Sequence, residues 1–326
     1  MAQPVILWQG GEDINFPNGA AVSWDASAGR FRSTFSRGAL YQSTIGGFSE
    51  STPFSGGAVN SLWFRCRCWS VDVSNVQQLI IGPAKAGTNK GLYVGSSNAN
   101  AGKWAISKYD GTTKTQLATE SGTSRANQIL QEVVMQIVGP LSAATVNVWI
   151  DQTLLITFTG DISISGVSAY DCVKYTRDST GFCELSEIQV ADGDIRAWPG
   201  LLTAALTGGG TTNQWTNNTY TNINGTVISD SSPTSDNVNG EEQQYNITDL
   251  PAGSFVIAAT SIHARVAKSA TPSVTKVALG YNKAGTVTYG ASQPAGTGYG
   301  TIEQIDQGLF TQADMNSLQL SVKAVT

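Results

Sequence analysis

Alternation with period two, in one segment after another, constrains this chain more than any other feature. The stretch LWFRCRCW (Leu62 to Trp69) sends Leu62, Phe64, Cys66 and Cys68 to one face and Trp63, Arg65, Arg67 and Trp69 to the other. One face is apolar and the other mixes indole with guanidinium. Further strands are predicted at Gln78–Ile81, Gly91–Gly95, Trp104–Tyr109, Gln116–Thr119, Glu132–Val138, Thr145–Ile150 and Glu184–Val190, separated by turn pairs such as Asp110-Gly111 and Gly139-Pro140. The segment TVNVWIDQTLLITFTG reads as a hairpin turning at Asp151-Gln152. Val146, Val148, Ile150, Leu154, Ile156 and Phe158 form its expected inward set. Many short strands at this spacing describe a sandwich or jelly roll.

With 326 residues the chain is long enough for about two domains, each with its own core. The boundary is expected near residue 197, giving domains 1–197 and 198–326. After it come Leu201–Leu206, a Gly/Thr-rich break GGGTTN at 208–213, and a polar excursion at 216–242. Strands are predicted near Gln243–Ile247, Ser254–Val266, Val274–Tyr281, Thr301–Gln307 and Leu318–Val325. Thr311 with Asp314 in the third position resembles a capping box and marks one short C-terminal helix, through Asn316. The predicted fold class is therefore all-β, two β-sandwich (jelly-roll-like) domains with a single short helix.

Charge excludes some function classes. Only 13% of residues are charged, the formal net charge is −5, and no Lys/Arg cluster follows a phosphate backbone. Nucleic-acid binding is not expected. No apolar run reaches the roughly 18 residues of a membrane span, and the start MAQPVILWQGGED lacks a basic n-region, so neither membrane insertion nor secretion is expected.

Titratable chemistry is sparse. His263, in SIHARVA, is the one histidine, so a Ser-His-Asp or Cys-His arrangement would have to use it, and no G-x-S-x-G elbow is present. A lone strand histidine is more often packed or solvated. Sandwich glucanases align carboxylates as E-x-D-x-E; here Glu184 and Glu187 differ by an odd number, which a regular strand sends to opposite faces. Glu241-Glu242 lies in the polar excursion, and Asp192-Gly-Asp194 reads as a turn more readily than as half a calcium loop. Cys66, Cys68, Cys172 and Cys183 fit no usual zinc spacing, and Cys66 and Cys68 are too stretched along one strand for an easy bridge; buried reduced thiols are the plainer expectation. No catalytic residue, metal site or cofactor is predicted.

Eight tryptophans remain. Trp63 and Trp69 share a face with arginines, and Trp149 lies opposite the core face of its strand. Such rings serve as a protein interface or second packed surface, or as platforms for sugars. Trp63, Trp69 and Trp149 are the candidate interface or glycan-stacking residues.

Several segments, in order, resemble a family of bacteriophage structural proteins with a concanavalin/laminin-G-like jelly roll. They are WQGGEDINF (Trp8 to Phe16), KWAISKYDGT (Lys103 to Thr112), VNVWID (Val146 to Asp151) and SEIQVADGD (Ser186 to Asp194). The second half adds NQW (Asn213 to Trp215), DLPAG (Asp249 to Gly253), Ser261–Ala267 and FTQADMNSLQL (Phe310 to Leu320). One departure is Asp151-Gln152, where such hairpins carry Asp-Gly; it is expected to affect only the turn. The resemblance implies a non-enzymatic virion protein of tail or capsid-decoration type, assembled in the host cytoplasm. Its implied partners are itself, as a homotrimer or other symmetric oligomer, and other virion proteins. The alternative is a tail module that binds a host surface glycan.

Overall fold

The computed structural model describes residues 4–10, 15–19, 22–25, 39–42, 47–70, 80–96, 103–122, 130–176, 183–197, 201–216, 220, 223, 230, 233–253, 256–308 and 310–326. The chain divides into two compact units, residues 1–201 and 202–326. Both are antiparallel β-sandwiches, and the one α-helix among the described residues is Gln312–Met315.

In the first unit an eight-stranded sheet faces a seven-stranded one. The larger sheet runs Thr153–Gly160, Ala144–Ile150, Leu130–Val138, Leu62–Ser70, Cys183–Ala191, Ala39–Gln42, Val22–Asp25, with Ile6–Gly10 added alongside Cys183–Ala191. Its inner face is the one the alternation predicts: Leu62, Phe64, Cys66 and Cys68 join Val133, Met135, Ile137, Val146, Val148 and Ile150. From the opposing sheet come Ile81, Leu92, Val94, Ile106, Val173 and Tyr175. Each such large side chain stabilises the fold by roughly 1.5–3 kcal/mol on burial. Trp8, fully buried, donates its indole N–H to Thr52 Oγ1 at 2.7 Å and meets Phe16 edge-on, which ties the first strand into the core.

Two of the register irregularities change which residues face the core and the site. In the hairpin, Val148 pairs with Ile156 but Trp149 pairs with Leu154, so Leu155 is the extra residue. Leu155 therefore packs against the core, and Leu154, expected inward, is 50% exposed on the face of Trp149. In Cys183–Ala191 the register slips between Ser186 and Gln189, with Glu187 in the left-handed region at φ 53°. Leu185 lies on the core side before the slip, Ile188 and Val190 after it.

The second unit packs a six-stranded sheet against the pair Ala259–Val266 and Gly300–Gln307. Val277, Leu279 and Val322 meet Ile302, Ile262 and Val266. The segment expected as a Gly/Thr-rich break is in fact part of a strand, Leu206–Asn213, while residues 201–205 carry no strand. The reason is close approach: a Cβ on Gly210 would lie 2.7 Å from Gln244 Cβ, so the neighbouring strand needs glycine there. Of the strand expected over Ser254–Val266, residues 254–255 lie outside the described residues, 256–258 carry no strand, and Ala259–Val266 forms one. The helix carries the predicted cap, Thr311 Oγ1 accepting from Asp314 N at 3.1 Å and Asp314 returning to Thr311 N at 2.8 Å.

Candidate functional site

The outer face of the eight-stranded sheet carries a polar cluster around the buried Arg65. Antiparallel pairing sets Arg65 opposite Val134, and Val134 opposite Trp149; Arg67 lies opposite Glu132 and Ser186. Arg65 is 2% exposed. Its Nε donates to Glu132 Oε2 at 2.9 Å, Nη2 donates to the same carboxylate, and Nη1 donates to Gln189 Oε1 at 2.9 Å. A guanidinium held at three of its nitrogens by partners from two neighbouring strands acts as a strut between them.

Next to it the hairpin turn folds back over the sheet. Asp151 and Gln152 both have positive φ, 49° and 67°, the geometry of a tight primed turn that ordinarily calls for Asn-Gly or Asp-Gly. Asp151 N donates to Glu132 O at 2.9 Å and Asp151 Oδ1 accepts from Glu132 N at 2.8 Å. Gln152 Nε2 donates to Glu132 Oε1 and, at 3.0 Å, to Arg196 O. The residue expected to influence only the turn therefore connects three segments.

Arg65, Arg67, Glu132, Asp151, Gln152 and Arg196, with Leu130 at one side, line an open cleft of about 430 Å³. Most of these polar groups are used within the protein. Glu132 gives one oxygen to Arg65 and the other to Gln152. Arg196 forms a fork with Asp194, Nη2 to Oδ2 at 2.6 Å; that hydrogen bond holds the Asp194 carboxyl below its ordinary range and pushes the Arg196 guanidinium further up. Spare capacity remains at Arg196 Nη1 and Gln152 Oε1, which have no protein partner among the described residues, and at two further groups. Arg67 makes one bond, Nη1 to Glu187 Oε1 at 3.3 Å, and Asp151 Oδ2 has no protein partner.

Beside the cleft the rings of Trp63 and Trp149 stack, centroids 5.4 Å apart and planes 19° from parallel. Arg196 lies over both, 5.2 Å from the Trp63 centroid and 4.7 Å from that of Trp149. Trp149 is buried to 8% exposure in this outer stack, away from the core. Trp69 packs with Leu130 against Ala39, partly buried. Two of the three predicted tryptophans thus meet each other, and the third lies elsewhere on the same face.

The carboxylate geometry differs from the sequence expectation. Glu184 is opposite Trp69 and Glu187 bonds Arg67, so both lie on the outer face. The bulge at Glu187 adds the residue that restores the parity. Sequence reasoning also missed Glu132, Gln152 and Arg196. A non-glycine residue in a tight hairpin turn was the visible signal for Gln152.

Other chemical expectations resolve as follows. His263 Nε2 lies 3.2 Å from Ser261 Oγ and 3.6 Å from Glu303 Oε1. Both groups approach the same nitrogen, whereas a catalytic relay needs hydroxyl and carboxylate on opposite ring nitrogens. Asp192 caps the chain start by accepting Val5 N at 2.7 Å, and Asp194 serves Arg196, as a turn rather than a cation loop. No metal-holding group of His, Cys, Asp and Glu occurs among the described residues. Cys66, Cys68 and Cys172 are buried thiols in no disulfide; the Cys183 side chain lies outside the described residues.

No family model and no curated protein matches this sequence. Among solved structures, it is similar to the carbohydrate-binding module CBM66 from Bacillus subtilis, with 8% identity over 53% of this chain and 94% of that one, TM-score 0.40. It is also similar to the potassium-bound Emp46p carbohydrate recognition domain, with 11% identity over 48% and 84%, TM-score 0.35. A third likeness is to the alginate lyase Aly36B, 11% identical over 60% and 97%, TM-score 0.39. At this distance the similarity is one of chain path, shared by binding modules and enzymes alike.

Proposed function

We propose that this chain recognises a glycan without turning it over, using the cleft on the outer face of the first unit. The observation that carries the reading is the cleft itself. Planar polar side chains, Arg67, Asp151, Gln152 and Glu132, converge on one open depression against a Trp63–Trp149–Arg196 stack. Fixed donors and acceptors of this kind match sugar hydroxyls, and Arg196, held against the Trp63 and Trp149 rings, keeps that side of the cleft pre-organised. Turnover is disfavoured by the same bonds. Glu132 has both oxygens engaged, so it is not placed to hand a proton to a glycosidic oxygen.

The setting follows from the resemblance of the sequence to phage structural proteins: a tail or capsid component, self-associating, whose first unit meets the host surface. Purified particles probed for this chain at defined copy number test that setting. Binding of the full chain to an array of bacterial surface glycans tests the recognition. Retention with no new reducing ends or unsaturated products supports the proposal; release of either product, or no retention by any glycan, overturns it.

A further inference from the structure

Resting on that glycan reading, we infer that the cleft takes a neutral, hydroxyl-rich sugar and discriminates against carboxylated or sulfated ones. Three arginines at the cleft suggest an anion site at first sight, but each is already paired with a carboxylate of the protein. Arg65 is fully held by Glu132 and Gln189, and Arg196 is forked onto Asp194. Arg67 keeps free donors, yet it is already paired with Glu187, itself 1% exposed.

Arg65 pairs with Glu132, Arg67 with Glu187 and Arg196 with Asp194, whereas Asp151 has no cation partner among the described residues. Asp151 Oδ2, an unmatched acceptor, is anionic, and an incoming carboxylate or sulfate would meet it with no uncommitted cation to compensate. A hydroxyl answers Arg67 and Asp151 at once, because it accepts from the one and donates to the other. Vicinal hydroxyls of a hexose supply that pair in one ring.

The test is affinity electrophoresis of the full chain through gels holding dextran, mannan or galactan as neutral polymers, or polygalacturonate or dextran sulfate as anionic ones. Each is run at low and high salt, with wild type, Arg67→Gln and Asp151→Asn. Asp151→Asn is the more secure variant, since asparagine tolerates positive φ and still accepts the Glu132 N–H. The expected result is retardation by a neutral polymer, little changed by salt and weakened about tenfold by Asp151→Asn, the loss of one hydrogen bond to a charged group. Stronger, salt-sensitive retention by an anionic polymer, lost in Arg67→Gln, overturns the neutral-sugar inference while glycan recognition stands. Neutral retention unchanged in both variants overturns the assignment to this pair. Failure to be retarded in any gel, with no retention on the glycan array, overturns glycan recognition itself.

Discussion

The side-chain amide of Gln152 reaches the backbone carbonyl of Arg196 at 3.0 Å, across 44 residues of sequence. This bond joins the hairpin turn to the segment that carries the Trp63–Trp149 cap. Gln152 holds φ 67° to make it, a conformation that costs an ordinary residue about 1–2 kcal/mol and glycine almost nothing.

Gln152→Gly should therefore separate stability from binding. Relief of the backbone strain offsets the loss of two partly exposed hydrogen bonds, each worth about 0.5–1 kcal/mol, so the denaturant midpoint should scarcely move. Glycan retention should fall several-fold, because the turn no longer holds Arg196 and Glu132. A variant that lost stability and kept full retention would show the side chain to be a structural brace only.

Arg65 should behave in the opposite way. Removing it leaves Glu132 partly buried with its main cationic partner gone, so Arg65→Leu should destabilise the chain by about 3 kcal/mol in chemical denaturation. Arg65→Leu combined with Glu132→Leu should recover most of that, since neither charge is then stranded. A double variant no more stable than the single one would mean that the pair is not what supports the strands.

Much of the fold was legible because period two survives wherever strands are regular. Val146, Val148 and Ile150 lie in the core as the alternation requires. Leu154 and Glu187 were misplaced because a bulge shifts parity by one, and nothing in TLLIT or LSEIQ marks which residue is extra. The strand 206–213 was hidden because Gly210 serves close approach to Gln244, a contact between segments far apart in sequence. The cleft was half legible: Arg65 and Arg67 could be placed beside Trp63, whereas Glu132, Gln152 and Arg196 arrive from other strands and turns through long-range pairing.

The thiols give a third prediction. Cys66 and Cys68 are fully buried in the core, and burial, aided by the Glu50 carboxylate, pushes the Cys172 thiol far above its ordinary range. Thiolate is the reactive form, so iodoacetamide at pH 8 should leave all three unmodified in the native chain and alkylate them in guanidinium. Rapid native labelling of Cys172, mapped by peptide mass, would contradict its burial beside Tyr93.

Acid should act on the C-terminal unit through its helix cap. Asp314 Oδ2 accepts from Thr311 N and Oγ1, both at 2.8 Å, and pairs with Lys283 at 2.9 Å. The Thr311 backbone N–H, then Lys283, then the Thr311 hydroxyl hold its carboxyl down at about 2, against an ordinary 3.8. Because the folded value is the depressed one, the stabilisation is fully present above the unfolded value near 4 and is lost as pH falls through about 2. Lys283 also lies 5.9 Å from the Phe310 ring, which meets Tyr281 edge-on, so loss of the cap should be felt in that small core. Asp314→Asn should lower the thermal midpoint of the unit at pH 5 to 7. The gap from wild type should close between pH 4 and pH 2, followed by near-ultraviolet circular dichroism of the full chain. Other carboxylates titrate in the same range, and taking the difference between the two proteins removes them. A gap that stayed constant down to pH 2 would mean that the carboxylate stabilises the cap by its hydrogen bonds alone, with no contribution from its charge.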